Sequence, residues 1–275
     1  MRAGASGGAG AADIGSLLDL AVATAHAAGE VLTGGGSAQL RVSTKSTPTD
    51  VVTQMDTEAE RLIARLIRDR RPDDAILGEE GQDTGAVGGR PVRWIVDPID
   101  GTVNYLYGIP QWAVSIAVEV DGVVQAGVVF DAEKDETFTA IRGAGAYRNQ
   151  VPSRVTGCAQ LSQALVATGF GYAAARRAAQ ARVLTGVLPA VRDIRRFGAA
   201  SLDLCALACG RVDGYYERGL NLWDFAAAGL IAGEAGARVS GLRGQPPSGE
   251  LLVAGVPGVF DALRDLLTTL DADRD

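Results

Sequence analysis

Histidine is almost absent from this chain: His26 is the only one in 275 residues. A metal site built on several histidines is therefore excluded. So are most Ser-His-Asp and Cys-His schemes, since no nucleophile motif points to His26. Cysteine is scarce too, and Cys158, Cys205 and Cys209 are too few and too odd a set for a disulfide framework. Cys205 and Cys209, four apart in an Ala/Leu-rich stretch, read as reduced core residues. Aromatic residues make up 5% of the chain against 47% hydrophobic residues, so the core has to be built of Ala, Val, Leu and Ile. No apolar run resembles a membrane span or the core of a signal sequence, and the Gly/Ala-rich residues 1–12 read as a disordered tail. The expected location is the cytoplasm. A net charge of −7 argues against nucleic acid or an anionic membrane as the main partner. It leaves an anionic substrate open, because a bound cation reverses the local sign. Any metal site must then be carboxylate-based, which favours Mg²⁺ or Mn²⁺ over zinc.

What is present falls into two halves, 13–154 and 155–275. Apolar positions Ile14, Leu17, Leu18, Val22 and Ala25 have helical spacing and end near Gly34-Gly35-Gly36. A second helix opens at Asp56-Thr57-Glu58-Ala59-Glu60, with Thr57 and Glu60 spaced as a capping box, and stops at Pro72. Its inward face is Ala59, Leu62, Ile63, Leu66 and Ile67. Ala75-Ile76-Leu77-Gly78 reads as a strand delivering Glu79 and Glu80, and the Gly-rich residues 81–91 as a mobile loop. Residues 113–148 alternate as an antiparallel meander, turning at Asp121-Gly122 and near Glu133-Lys134-Asp135. From about residue 155 strand and helix alternate, as in α/β proteins: strands at 165–168, 212–217, 237–239 and 251–253, helices at 172–188, 198–208, 222–234 and 259–270. Arg195-Arg196 reads as a solvated basic pair.

The most informative stretch is Trp94-Ile95-Val96-Asp97-Pro98-Ile99-Asp100-Gly101-Thr102-Val103-Asn104. A buried strand ending in a tight turn would aim Asp97 and Asp100 at one point. Gly101 would let backbone N–H groups approach a phosphate closely. Further acids stand at the tips of expected strands and helices: Glu79-Glu80, Glu217 and Asp224. Singly each is an ordinary cap or surface residue. Converged, Glu79, Asp97, Asp100 and Asp224 would protonate or spread apart unless cations neutralised them. Two or three Mg²⁺ ions would do so and leave room for a phosphate. Trp94 and Trp223 read as packing residues under such a site.

These residues resemble the inositol monophosphatase family, within the Mg²⁺-dependent, lithium-sensitive sugar phosphatase superfamily. The likeness runs from about residue 15 to 270, on Gly78-Glu79-Glu80, the Asp97–Thr102 motif and Trp223-Asp224-Phe225-Ala226-Ala227-Ala228-Gly229, with Lys45 to Asp56 and Gly143-Ala144-Gly145-Ala146 also fitting. It implies an α+β, layered α/β/α/β/α sandwich that forms a homodimer. It implies hydrolysis of myo-inositol 1-phosphate by direct attack of water activated by Mg²⁺ (two to three ions, Mn²⁺ as a substitute), without a phosphoenzyme. Glu79, Asp97 and the carbonyl of Ile99 would hold the first ion; Asp97, Asp100 and Asp224 the second; Glu79 a looser third. Glu79 and Thr102 would flank the attacking water, with Asp56 polarising the Thr102 hydroxyl. The backbone of Gly101 and Thr102 would hold phosphate, and Asp100, Asp224, Glu217 and the backbone at Ala200 would meet the substrate, with Lys45 nearby. Two alternatives stay open: a broader sugar phosphatase that includes fructose 1,6-bisphosphate, and a protein-binding scaffold with a regulatory role.

Overall fold

The computed structural model describes residues 13–34, 42–44, 51–81 and 92–274. The expected tail at 1–12, Lys45 and nearly all of the expected mobile loop lie outside the described residues. The chain opens with helix α1 (Ile14–Gly34), a ribbon of strands β1 (Val42–Thr44) and β2 (Val51–Thr53), and helix α2 (Gln54–Arg70). Helix α1 buries Leu17, Ala21, Ala25, Ala28 and Leu32 along one face. Gly29 lies on that face because a Cβ there would sit 2.5 Å from the Phe130 ring.

Helix α2 starts at Gln54, two residues before the expected Asp56. Its N-cap is Thr53, and the capping box is Thr53 with Asp56, not Thr57 with Glu60. The Asp56 carboxylate accepts from the Thr53 N–H at 2.8 Å. Thr53 Oγ1 accepts from the N–H groups of Met55 and Asp56. The rival pair cannot form the box because the Glu60 carboxylate is turned away from its own helix to the Glu80 N–H.

Seven strands form the first sheet, in sequence order: β3 (Ala75–Gly78), β4 (Val92–Asp100), β5 (Ala113–Val120), β6 (Val123–Asp131), β7 (Glu136–Ile141), β8 (Gly145–Arg148) and β9 (Val151–Pro152). Only β3 and β4 run parallel. The β5–β6 turn is Asp121-Gly122, with φ of 51° and 79°, the doubly positive pair that a tight two-residue hairpin requires. Short helix α3 (Thr102–Leu106) leaves β4 directly.

The second sheet has five strands: β10 (Leu165–Thr168), β11 (Asp193–Arg195), β12 (Gly214–Glu217), β13 (Arg238–Ser240) and β14 (Leu252–Gly255), in spatial order β11-β10-β12-β14-β13. β10 is parallel to both its neighbours, as helical crossovers demand. β14 is antiparallel to β12 and β13, since only the 241–251 loop separates β13 from β14. The helices here are α4 (Ala174–Val187), α5 (Ala200–Ala208), α6 (Leu222–Glu234) and α7 (Pro257–Thr269).

The layers follow from which faces are apolar on both sides. Every residue of α5 is buried, as a helix between two sheets must be. α6 packs on β5 and β6 on one side and on β13 on the other. At Gly127 a Cβ would come 2.9 Å from the Ala227 Cα, so β6 and α6 touch backbone to backbone. α1 and α2 cover the outer face of the first sheet, and α7 packs on the second sheet with α4 against it. The result is an α/β/α/β/α sandwich. Its central helices start where the two sheets' functional strand ends meet.

Candidate active site

Strand β4 delivers the paired acids in a way that strand periodicity alone would forbid. Side chains three apart on a regular strand point to opposite faces. Against β5, Asp97 pairs with Ser115 and Asp100 with Ala113: three steps on one strand match two on the other. The extra residue is a β-bulge at Pro98-Ile99, where proline has no N–H to give the ladder. The strand thus runs through to Asp100 instead of ending in a turn, and both carboxylates reach the same face. Gly101 follows at φ +97°, a conformation that favours glycine, and its Cα packs beneath the carbonyl of Gln111.

A cleft of about 380 Å³ opens there, lined by Glu79, Asp97, Asp100, Thr102, Glu217 and Asp224 among others, with Ile99, Gly101 and Ala200 also on its wall. A wider groove of about 800 Å³ between α1 and α2 holds none of these residues. The three aspartates have fixed orientations. Asp97 Oδ1 accepts from the Ile99 N–H at 3.1 Å. Asp100 takes the start of α5: Oδ1 accepts from Ala200 N–H at 3.2 Å, Oδ2 from Ser201 N–H at 2.6 Å and from the Ser201 hydroxyl. The Ala200 N–H is therefore turned to Asp100, not to the open cleft. Asp224, in the first turn of α6, accepts from the Asn221 N–H at 2.6 Å. The Thr102 hydroxyl lies 3.1 Å from both Asp56 Oδ1 and the Ile99 carbonyl, and has one proton to give.

The electrostatics are those of crowded, buried acids. Burial pushes Asp97 well above the usual carboxylate range, and Glu79, Asp100 and Asp224 add repulsion. Asp224 is likewise driven well up, by burial and then by Asp100 and Glu79. Asp100 rises to about 6: burial raises it, and the bonds from Ser201 and Ala200 hold it back. Asp56 is raised mainly by burial. Glu217 reaches about 7 through burial, moderated by the Tyr215 hydroxyl, which donates to it at 2.7 Å, and by Arg196. The leading influences on Asp97, Asp100 and Asp224 are burial, the neighbouring acids and their own hydrogen bonds. No three His, Cys, Asp or Glu side chains of the described residues are closed around one point. The donors nonetheless suit hard divalent ions: all are oxygens, buried or half-buried and mutually repelling, with lone pairs left beyond their backbone bonds.

Several site residues escape the sequence pattern. Arg196 lines the cleft, so the Arg195-Arg196 pair is split: Arg195 bonds Asp193 on the exposed edge strand, while Arg196 faces the acids. Arg176 and Arg218 line the same wall. Asp203 is buried in α5 with no hydrogen-bond partner for either oxygen among the described residues, and burial, Glu217 and Asp100 push it well up. An acid in the apolar run Leu202-Asp203-Leu204 marks it in the sequence. Trp94 is fully buried and donates to Asp74, whereas Trp223 reaches the cleft wall. His26 stacks on Phe130 and bonds Thr137, and is not among the cleft residues. The cysteines are unpaired, with Cys205 buried and pushed well up by that burial.

Comparison with known proteins places this cleft in context. Residues 13–267 match the profile of the inositol monophosphatase family. "Inositol-1-monophosphatase SuhB" of Mycobacterium tuberculosis is 48% identical over 240 residues, covering 84% of this chain and 81% of that one. "Nus factor SuhB" of Pasteurella multocida is 40% identical over 233 residues, covering 83% and 86%. The solved structure of extragenic suppressor protein suhB from Bartonella henselae superposes with a TM-score of 0.86 at 37% identity, covering 92% of this chain and 98% of that one. Fold and cleft together are those of a phosphoric monoester hydrolase. The chain belongs to the inositol monophosphatase family.

Proposed function

We propose that this chain hydrolyses myo-inositol 1-phosphate, or a closely similar cyclitol phosphate, in an Mg²⁺-dependent reaction. The observation that carries this reading is four acids on one cleft, Asp97 and Asp100 buried and Glu79 and Asp224 half-buried, beside a threonine hydroxyl held by a fifth acid. Glu79, Asp97 and the Ile99 carbonyl would hold one ion; Asp97, Asp100 and Asp224 a second; Glu79 a looser third. Such ions supply charge neutralisation at the phosphate, a lowered pKa for water and stabilisation of the leaving alkoxide.

The chain's own residues do the rest. Asp56 orients the Thr102 hydroxyl: when that proton goes to Asp56, the Ile99 carbonyl keeps its lone pairs and a threonine lone pair faces the cleft. Thr102 and Glu79 then flank the water aligned for attack. The left-handed Gly101 brings backbone close to the phosphate. Glu217, fixed by Tyr215 and packed where residue 169 has no room for a Cβ, meets substrate hydroxyls. Asp100, Asp224 and Ala200 complete the substrate wall. We assign the active form to a cytoplasmic homodimer; among the described residues no helix is long and apolar enough to cross a membrane. The test is phosphate release from inositol 1-phosphate, fructose 1,6-bisphosphate, histidinol phosphate and adenosine 3′,5′-bisphosphate. Fast, Mg²⁺-dependent, lithium-sensitive turnover of the first is expected, and no turnover of any would reject the reading.

One observation favours the broader sugar phosphatase. Arg176 threads between two glycines at the cleft wall: a Cβ on Gly171 would lie 2.7 Å from its Cδ, and one on Gly219 2.6 Å from its Nη1. With Arg196 and Arg218 it adds basic groups to the same cleft, suited to a second phosphate. Arg176→Ala is expected to raise KM for fructose 1,6-bisphosphate by about 10-fold or more. KM for inositol 1-phosphate should stay unchanged in the same assay. The scaffold reading, to which the Nus factor name of a relative lends support, is less favoured because Glu79, Asp97, Asp100 and Asp224 line a single cleft.

A further inference from the structure

Glu60 is a second buried acid on α2, one helical turn beyond Asp56 and on the same face. It is 2% exposed, an unusual state for a glutamate in a helix otherwise rich in solvated charge. Its side chain does not cap its own helix. Oε2 accepts from the backbone N–H of Glu80, 20 residues along the chain, at 2.8 Å. The carboxylate lies where the Cβ of residue 78 would be, so any larger residue there would displace Glu60 from this position. The neighbouring Glu79 N–H donates to the Val96 carbonyl at 3.3 Å, one residue before Asp97. The Gly78-Glu79-Glu80 turn is therefore held from two sides, by β4 and by Glu60.

We infer that Glu60 is a positioning residue for Glu79. Helix α2 acts as a rigid gauge for the whole cleft: Asp56 sets the Thr102 hydroxyl, and Glu60, one turn on, sets the turn that presents Glu79. Groups that orient a ligand without touching the ion typically change metal affinity by about 10–100-fold when removed. The two acids of α2 then have separable effects, Asp56 on turnover and Glu60 on ion binding. This inference rests on the metal-site reading proposed above.

The experiment is calorimetric titration of Mn²⁺ into metal-free protein, with thermal melts alongside, for the wild type, Glu60→Met, Glu60→Gln and Asp97→Asn. Methionine keeps the volume and removes the acceptor; glutamine keeps an acceptor oxygen at the same reach. The expected result is a Kd about 10-fold or more weaker for Glu60→Met and near wild type for Glu60→Gln. If the methionine variant does not fold, Glu60→Asp, which withdraws the acceptor by one methylene, carries the same expectation. A wild-type Kd in Glu60→Met, with binding lost in Asp97→Asn, would overturn the positioning role. Equal weakening in the methionine and glutamine variants would overturn it in favour of a pure charge effect. Wild-type binding in Asp97→Asn would instead reject the metal site itself.

Discussion

Asp97→Asn is expected to lower kcat by about 10³-fold or more, the equivalent of about 4 kcal/mol of transition-state stabilisation, while leaving the fold intact. Asp97 is the acid shared by both proposed ion sites, is 1% exposed, and receives repulsion from three other acids. Asparagine is nearly isosteric and its side-chain oxygen can still accept from the Ile99 N–H, which the aspartate now does at 3.1 Å. What it removes is charge. Loss of charge should weaken ion binding and also relieve crowding in the metal-free protein. Steady-state kinetics across Mg²⁺ concentration, with a melt in chelator, reads both effects. The metal-free variant should melt no lower than the wild type. Full turnover in Asp97→Asn would reject the mechanism, and a collapsed melt would show that Asp97 is structural first.

The second large effect is a reversal of the pH dependence of stability by Mg²⁺. Asp100 at about 6 and Glu217 at about 7 hold protons in the folded chain that an unfolded chain releases near pH 4. Between about pH 4 and 7 the folded state therefore binds more protons than the unfolded one. Stability then falls as pH rises through that window. For Asp100 alone a lift of this size is worth about 3 kcal/mol, and Asp97 and Asp224 move in the same direction. Metal-free protein should melt on the order of 5 °C or more lower at pH 8 than at pH 5. Ions bind the ionised acids and only the folded state gathers them, so saturating Mg²⁺ should restore the loss at pH 8 and do little at pH 5. Scanning calorimetry at both pH values, with chelator and with Mg²⁺, checks this. A metal-free melt that rises with pH would contradict the crowded-acid description.

The sequence carried the parts of the fold that depend on local chemistry. Leu222–Glu234 is helical over the expected span, and Asp121-Gly122 turns as its two positive φ angles require. It could not show features settled by competition between distant groups. Thr57-Glu60 has capping spacing, but Thr53 and Asp56 form the cap and Glu60 turns to the distant Glu80 N–H. Strand β11 is three residues long and exposed at a sheet edge, too short for an alternation to register. Asp100 was legible as an acid near the site. Its grip on the first N–H groups of α5, 100 residues later, was not.

The bulge at Pro98-Ile99 has a consequence for how this chain can vary. Asp97 and Asp100 share a face because the backbone between them carries one residue more than the strand beside it. The chemistry is thus written in a count as much as in an alphabet. Side chains at 98 and 99 can be exchanged while the tally stands, but losing one residue there would carry one acid through the sheet to its far side.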